Sequence, residues 1–83
     1  MDPLVDPRVV VFVRDGCHLC DEAKVLVAEL CAELGVSFAF TDVDADPELR
    51  ARHNDHVPVT FVDGVHHARW FVDTVALRAA LTA

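Results

Sequence analysis

The chain has 83 residues, 53% of them apolar and 25% charged, with a formal net charge of -7. That length fits one domain with a thin core, and so high an apolar content excludes a disordered chain. The acidic balance leaves no basic stripe to neutralise phosphates, so no nucleic-acid partner is expected, and it opposes docking on anionic membranes.

Val9–Val13 (VVVFV) is an unbroken run of β-branched and aromatic residues, the pattern of a strand buried on both faces. The preceding MDPLVDPR carries acids where a signal peptide needs positive charge, and VVVFV is too short for a signal's apolar core. No apolar run reaches the length of a membrane span, so a cytoplasmic location is expected. After Asp15 and Gly16 the period changes. Leu19, Ala23, Leu26, Val27, Leu30, Cys31 and Leu34 recur at three- and four-residue intervals, which marks one face of a helix that stops at Gly35. Residues 36–43 alternate and read as a second strand. Asp46 as N-cap and Pro47 at the first helical position start a short helix running through Glu48 to about Asn54. VTFV, after Val57 and Pro58, is a third strand. Asp63 and Gly64 form a hairpin turn, and residues 65–71 a more polar fourth strand. Asp73 caps a last helix over residues 74–81, with Val72 and Leu77 placed as a hydrophobic staple. The order is βαβαββα in a single domain, residues 1–83, with its core at about residues 9–82. The first β-α-β predicts two parallel strands with a right-handed crossover, and the tight Asp-Gly turn an antiparallel pair at the other side.

Cys17 and Cys20 lie three positions apart at the start of the first helix. Backbone N–H groups there lack intrahelical partners, and the positive end of the helix dipole is close, so the thiolate form is favoured at Cys17. Arg14, Lys24 and a protonated His18 act in the same direction, while Asp15, Asp21 and Glu22 oppose it. This makes Cys17 the attacking sulfur and Cys20, within disulfide reach one turn on, the resolving one. Two buried thiols that only fill space are the competing reading, which a C-x-x-C at a strand-to-helix junction disfavours. Cys31 shares the helix face but lies ~16 Å along the axis from Cys20, too far for a bridge, and is expected to be an inert core thiol. In a reducing compartment three cysteines do not make a structural disulfide framework, and an odd count leaves one unpaired. A structural zinc site needs further ligands; His18, His53, His56, His66 and His67 supply no second pair at finger-like spacing. They are read as exposed, solvated side chains, with no metal site expected.

On these motifs the chain resembles the glutaredoxins, within the thioredoxin superfamily, over nearly its whole length. CHLCDEAK is similar to the family's C-x-x-C-x-x-A-K, HVPVTFVDG is similar to its T-V-P-x-x-F-x-D-G, and the element order matches. The resemblance implies an α/β, thioredoxin-like fold of the glutaredoxin type, a four-stranded mixed sheet flanked by three helices. It implies a dithiol thiol-disulfide oxidoreductase working through Cys17 and Cys20, with no cofactor beyond the redox-active disulfide. By the same resemblance Arg14 stabilises charge beside Cys17, and the Val57-Pro58 bond is cis and faces the cysteines. The Val57 backbone would then align substrate as an added strand. His18 follows the nucleophile at a position that tunes redox potential in the disulfide-oxidising branch of the superfamily, and Asp73 supplies an acidic N-cap beside the α-amino group of glutathione. The expected partners are a disulfide-bearing protein or a small thiol such as glutathione, with a thiol or a disulfide reductase resetting a monomeric protein.

The chain departs from that pattern at three places. His18 and Leu19 replace proline and tyrosine between the cysteines, His56 replaces a threonine, and the glycine pair after the fourth strand is absent from HHARWFVD. Arg69 and Trp70 stand there instead, which predicts a poor fit for glutathione. Two other functions use the same features: an iron-sulfur or metal carrier built on Cys17 from two chains with added thiols, and a binding module that keeps the fold without turnover.

Overall fold

The computed structural model describes residues 6–53 and 56–82. The start of the acidic leader (residues 1–5), Asn54 at the expected end of the second helix, and residue 83 lie outside the described residues. The elements are β1 (Val9–Val13), α1 (His18–Leu34), β2 (Phe38–Asp42), a single 3₁₀ turn (Val43–Ala45), α2 (Pro47–His53), β3 (Val59–Val62), β4 (Val65–Arg69) and α3 (Thr74–Thr82). This is the predicted βαβαββα order.

Local chemistry explains most boundaries. Gly35 ends α1 with φ 68°, a left-handed conformation that costs glycine little, and its N–H donates to the Cys31 carbonyl. Asp46 accepts the Glu48 N–H at 2.9 Å to start α2. The Asp73 carboxylate accepts from the N–H groups of Val75 at 2.9 Å and Ala76 at 3.3 Å to start α3. Asp63 and Gly64 both have positive φ, 52° and 80°, as a two-residue type I′ hairpin requires.

The four strands form one mixed sheet in the order β2-β1-β3-β4, with β1 parallel to β2, β3 antiparallel to β1, and β4 antiparallel to β3. Val9, Val11 and Val13 of β1 point into a core shared with Cys20, Val27, Leu30 and Cys31 of α1, Val62 of β3, and Leu77 and Leu81 of α3. Val72, ahead of the Asp73 cap, packs against this cluster as the staple position predicts. Cys31 is fully buried, and burial pushes its thiol up, in keeping with an inert thiol.

Some expectations need correction. β1 is buried on one face only: Val10 and Phe12 are half-buried, because the helix on that side, α2, is two turns long and buries no residue completely. β2 starts at Phe38 and β4 stops at Arg69, each shorter than its alternation suggested. Leu26, placed by periodicity on the inner helix face, is 36% exposed. His53 is half-buried rather than solvated. Its ring stacks on Phe12 with centroids 4.9 Å apart, and burial, assisted by the charges of His56, Arg52 and His66, pushes it down.

The sheet has two poles. At one, Arg8 ties four segments together. Its N–H donates to Ser37 Oγ at 2.9 Å, its Nε and Nη2 donate to the two oxygens of Asp63 at 2.9 Å each, and its Nη1 reaches the Leu81 carbonyl at 3.4 Å. At the other, the cross-sheet register aligns Asp42 with Val13, Phe12 with Val59, and Val59 with Arg69. β1 and β4 therefore end, and β3 begins, in one row. Among the described residues no helix is long and apolar enough to cross a membrane.

Candidate functional site

The second pole carries the predicted site. β1 exits through Arg14, Asp15 and Gly16 into Cys17, which is the N-cap of α1 with extended backbone, φ -97° and ψ 113°. Its sulfur accepts the Cys20 N–H at 3.1 Å, the bond an N-cap serine makes with its hydroxyl. Cys17 is half-exposed, whereas Cys20 is fully buried one turn inside the helix. Burial is the main cause that pushes the Cys20 thiol up to about 12, with the hydrogen bond from Cys17 adding to it and the Arg14 backbone opposing it. The two cysteines are thus unequal: one accessible and hydrogen-bonded, one enclosed and protonated.

This inequality is testable by alkylation. In the Cys17→Ser variant the burial of Cys20 persists, so reaction of Cys20 with iodoacetamide should stay slow up to about pH 9 and rise only above it. A rate that levels off by about pH 10, as an ordinary exposed thiol with a pKa of about 8.5 would show, would mean that Cys20 is open to solvent.

The remaining expected residues fall around the same pole. Arg14 Nε donates to Asp44 Oδ2 at 3.0 Å, and Arg50 approaches the other oxygen of that carboxylate at 3.7 Å. His18 projects into solvent, 89% exposed, 3.6 Å from Glu22. The Val57-Pro58 bond is cis; Pro58 is buried and Val57 packs on the core edge. Asp73 serves as the N-cap of α3 described above. Among the described residues no three His, Cys, Asp or Glu side chains converge as metal ligands.

Two participants were not foreseen. Asp44 stands 30 residues from Arg14, and no local pattern links them. The other is the conformation of Trp70. Its N–H donates to the Pro58 carbonyl at 2.7 Å, while the Phe71 N–H folds back to the Arg69 carbonyl at 2.8 Å. Arg69, Trp70 and Phe71 therefore form a γ-turn centred on Trp70, at φ 68°. The positive-φ form of this turn is rare, and a bulky residue there costs about 1–3 kcal/mol. The family's missing glycine pair was the available signal, since glycine adopts this φ freely. The Arg69 guanidinium lies 4.9 Å from the indole centroid, and the His56 ring meets the indole at a tilt, 6.2 Å away.

The chain is similar to known proteins in sequence and in fold. The family described as "Glutaredoxin-like domain (DUF836)" matches residues 8–82. The uncharacterized protein Rv0508 of Mycobacterium tuberculosis is 40% identical over 78 residues, covering 88% of this chain and 80% of its own. The X-ray structure of protein XcR50 from X. campestris superposes with a TM-score of 0.73 at 31% identity, covering 89% of this chain and 95% of that one. The solution structure of glutaredoxin from Brucella melitensis gives a TM-score of 0.58 at 32% identity, covering 86% and 77%. The fold is the α/β thioredoxin fold, with four strands in a mixed sheet and three helices.

Proposed function

Because the chain belongs to the glutaredoxin-like domain family, we propose that it is a dithiol thiol-disulfide oxidoreductase working through Cys17 and Cys20. The observation that carries this reading is the half-exposed Cys17 sulfur, held at the helix N-cap by the Cys20 N–H, with the buried Cys20 thiol one turn behind it.

The Cys17 thiolate attacks one sulfur of a substrate disulfide. A Cys17–substrate bond forms, the substrate disulfide breaks, and the departing sulfur leaves as a thiolate that takes up a proton. Cys20 then gives up its proton and attacks the Cys17 sulfur. The Cys17–Cys20 bond forms and the second substrate thiolate leaves. Two electrons pass from the dithiol to the substrate. The high proton affinity of Cys20 keeps it from competing for the first step. In this reading Arg14, paired with Asp44, supports charge beside Cys17, and the Val57 backbone aligns an extended substrate segment. A low-molecular-weight thiol or a disulfide reductase of a reducing compartment resets the pair, and the protein acts as a monomer.

The test combines mapping with turnover. After mild oxidation and digestion, Cys17 and Cys20 should be bridged and Cys31 should be recovered as a free thiol. With a dithiol supplied as terminal reductant, the protein at substoichiometric concentration should accelerate reduction of a peptide disulfide above the rate of the dithiol alone. A bridge that includes Cys31, or no acceleration, would overturn the reading.

A further inference from the structure

The strained turn at the end of β4 is held at several points. The Trp70 N–H bonds to Pro58, the Phe71 N–H bonds to Arg69, the Arg69 guanidinium covers the indole, and the His56 ring packs against it. A backbone outlier so thoroughly fixed argues for a purpose at the place where it occurs. That place is set by the Pro58 hydrogen bond: the indole stands beside the Val57-Pro58 step, in the row where β1 leads out toward Cys17. Despite its contacts Trp70 remains 42% exposed, and while Val72 turns to the core, Phe71 and Val75 on either side of it are 67% and 77% exposed. These exposed apolar groups run on from the Trp70 turn beside Pro58 into the first turn of α3.

We infer that Trp70 is a specificity residue of the Cys17 site, selecting disulfides borne by an extended polypeptide with an apolar residue beside its cysteine over disulfides of small hydrophilic thiols. The inference rests on Cys17 being the nucleophile. Once Cys17 is joined to half of a substrate, that half lies against the side chains of this pole. A polypeptide half brings apolar neighbours that bury against the indole, Phe71 and Val75, and burial of apolar area is favourable in proportion to the area removed from water. A small hydrophilic thiol has no such neighbours and meets a bulky ring where glycine would leave the backbone bare.

The experiment uses pre-reduced protein in single turnover and compares the second-order rate constant for reduction of a 12-residue peptide disulfide, with leucine flanking its cysteine, against that for glutathione disulfide, in the wild type, Trp70→Gly and Trp70→Phe. The peptide-to-glutathione ratio should fall about tenfold in Trp70→Gly, a loss of the size that apolar pocket contacts give. It should be largely retained in Trp70→Phe. An unchanged ratio in Trp70→Gly overturns the inference while leaving the redox reading intact. If the wild type turns over neither disulfide, the redox reading falls, and docking is decided by a second measurement. Trp70 is the only tryptophan and there is no tyrosine, so its emission reports this pole alone. Titration with the same peptide carrying serine for cysteine should shift that emission saturably. A flat titration would overturn the docking claim.

Discussion

Cys17→Ser is expected to lower disulfide reduction to the uncatalysed background, a loss on the order of 10³-fold or more, because a serine hydroxyl at this position has no base to activate it and forms no exchangeable bond to sulfur. Cys20→Ser should behave differently. The Cys17 sulfur accepts from the Cys20 backbone N–H, a donor that the substitution retains, so the N-cap geometry and the first attack survive. The second attack is lost, and the mixed disulfide between Cys17 and substrate accumulates. Intact-mass measurement of each variant after incubation with a peptide disulfide separates the outcomes: an adduct on the Cys20→Ser protein and none on the Cys17→Ser protein. An adduct on the Cys17→Ser protein alone would reverse the assignment.

The second large effect concerns stability. Leu77 is fully enclosed where α3 meets α1 and the inner face of the sheet. Truncating such a leucine costs the transfer of its methyl groups plus the cavity left behind, about 3 kcal/mol. For a domain of this length, with about 4–12 kcal/mol in total, Leu77→Ala should lower the melting temperature on the order of 15 °C. Val25→Ala is the control: Val25 is 57% exposed on α1, and its replacement should change stability by no more than about 0.5 kcal/mol. Thermal unfolding followed by circular dichroism measures both. A shift under about 4 °C for Leu77→Ala would show that the core closes over the missing side chain.

What could be read from the sequence was local. The Asp73 cap, the Asp63 and Gly64 hairpin and the Gly35 stop each rest on one or two residues whose backbone needs are their own. The placing of the cysteine pair was legible for the same reason, since a spacing of three at a helix start puts one sulfur at the N-cap and the other one turn inside. What stayed hidden depends on elements meeting across the fold. Whether Val10 and Phe12 are covered is decided by how short α2 is, not by anything within VVVFV. The pairing of Arg14 with Asp44 follows from β1 and β2 running parallel and ending side by side. The turn at Trp70 runs against local preference altogether; no turn residue announces it, and the hydrogen bond to Pro58 and the packing of Arg69 and His56 help to hold it.

The Arg8 fork has a consequence for how this chain can be cut and rejoined. One guanidinium touches both the Asp63 carboxylate in the hairpin and the Leu81 carbonyl near the end of α3, so these segments lie within one side chain's reach of the start of β1. A chain reconnected from the end of α3 to Arg8 through a few glycines, and reopened between Asp63 and Gly64, would keep the sheet order and all three helices. The opened hairpin would loosen an exposed ion pair, a weak contributor in solvent. Both new ends would sit at the pole away from Cys17, so the permuted chain would carry Cys17 and Cys20 at the pole left uncut.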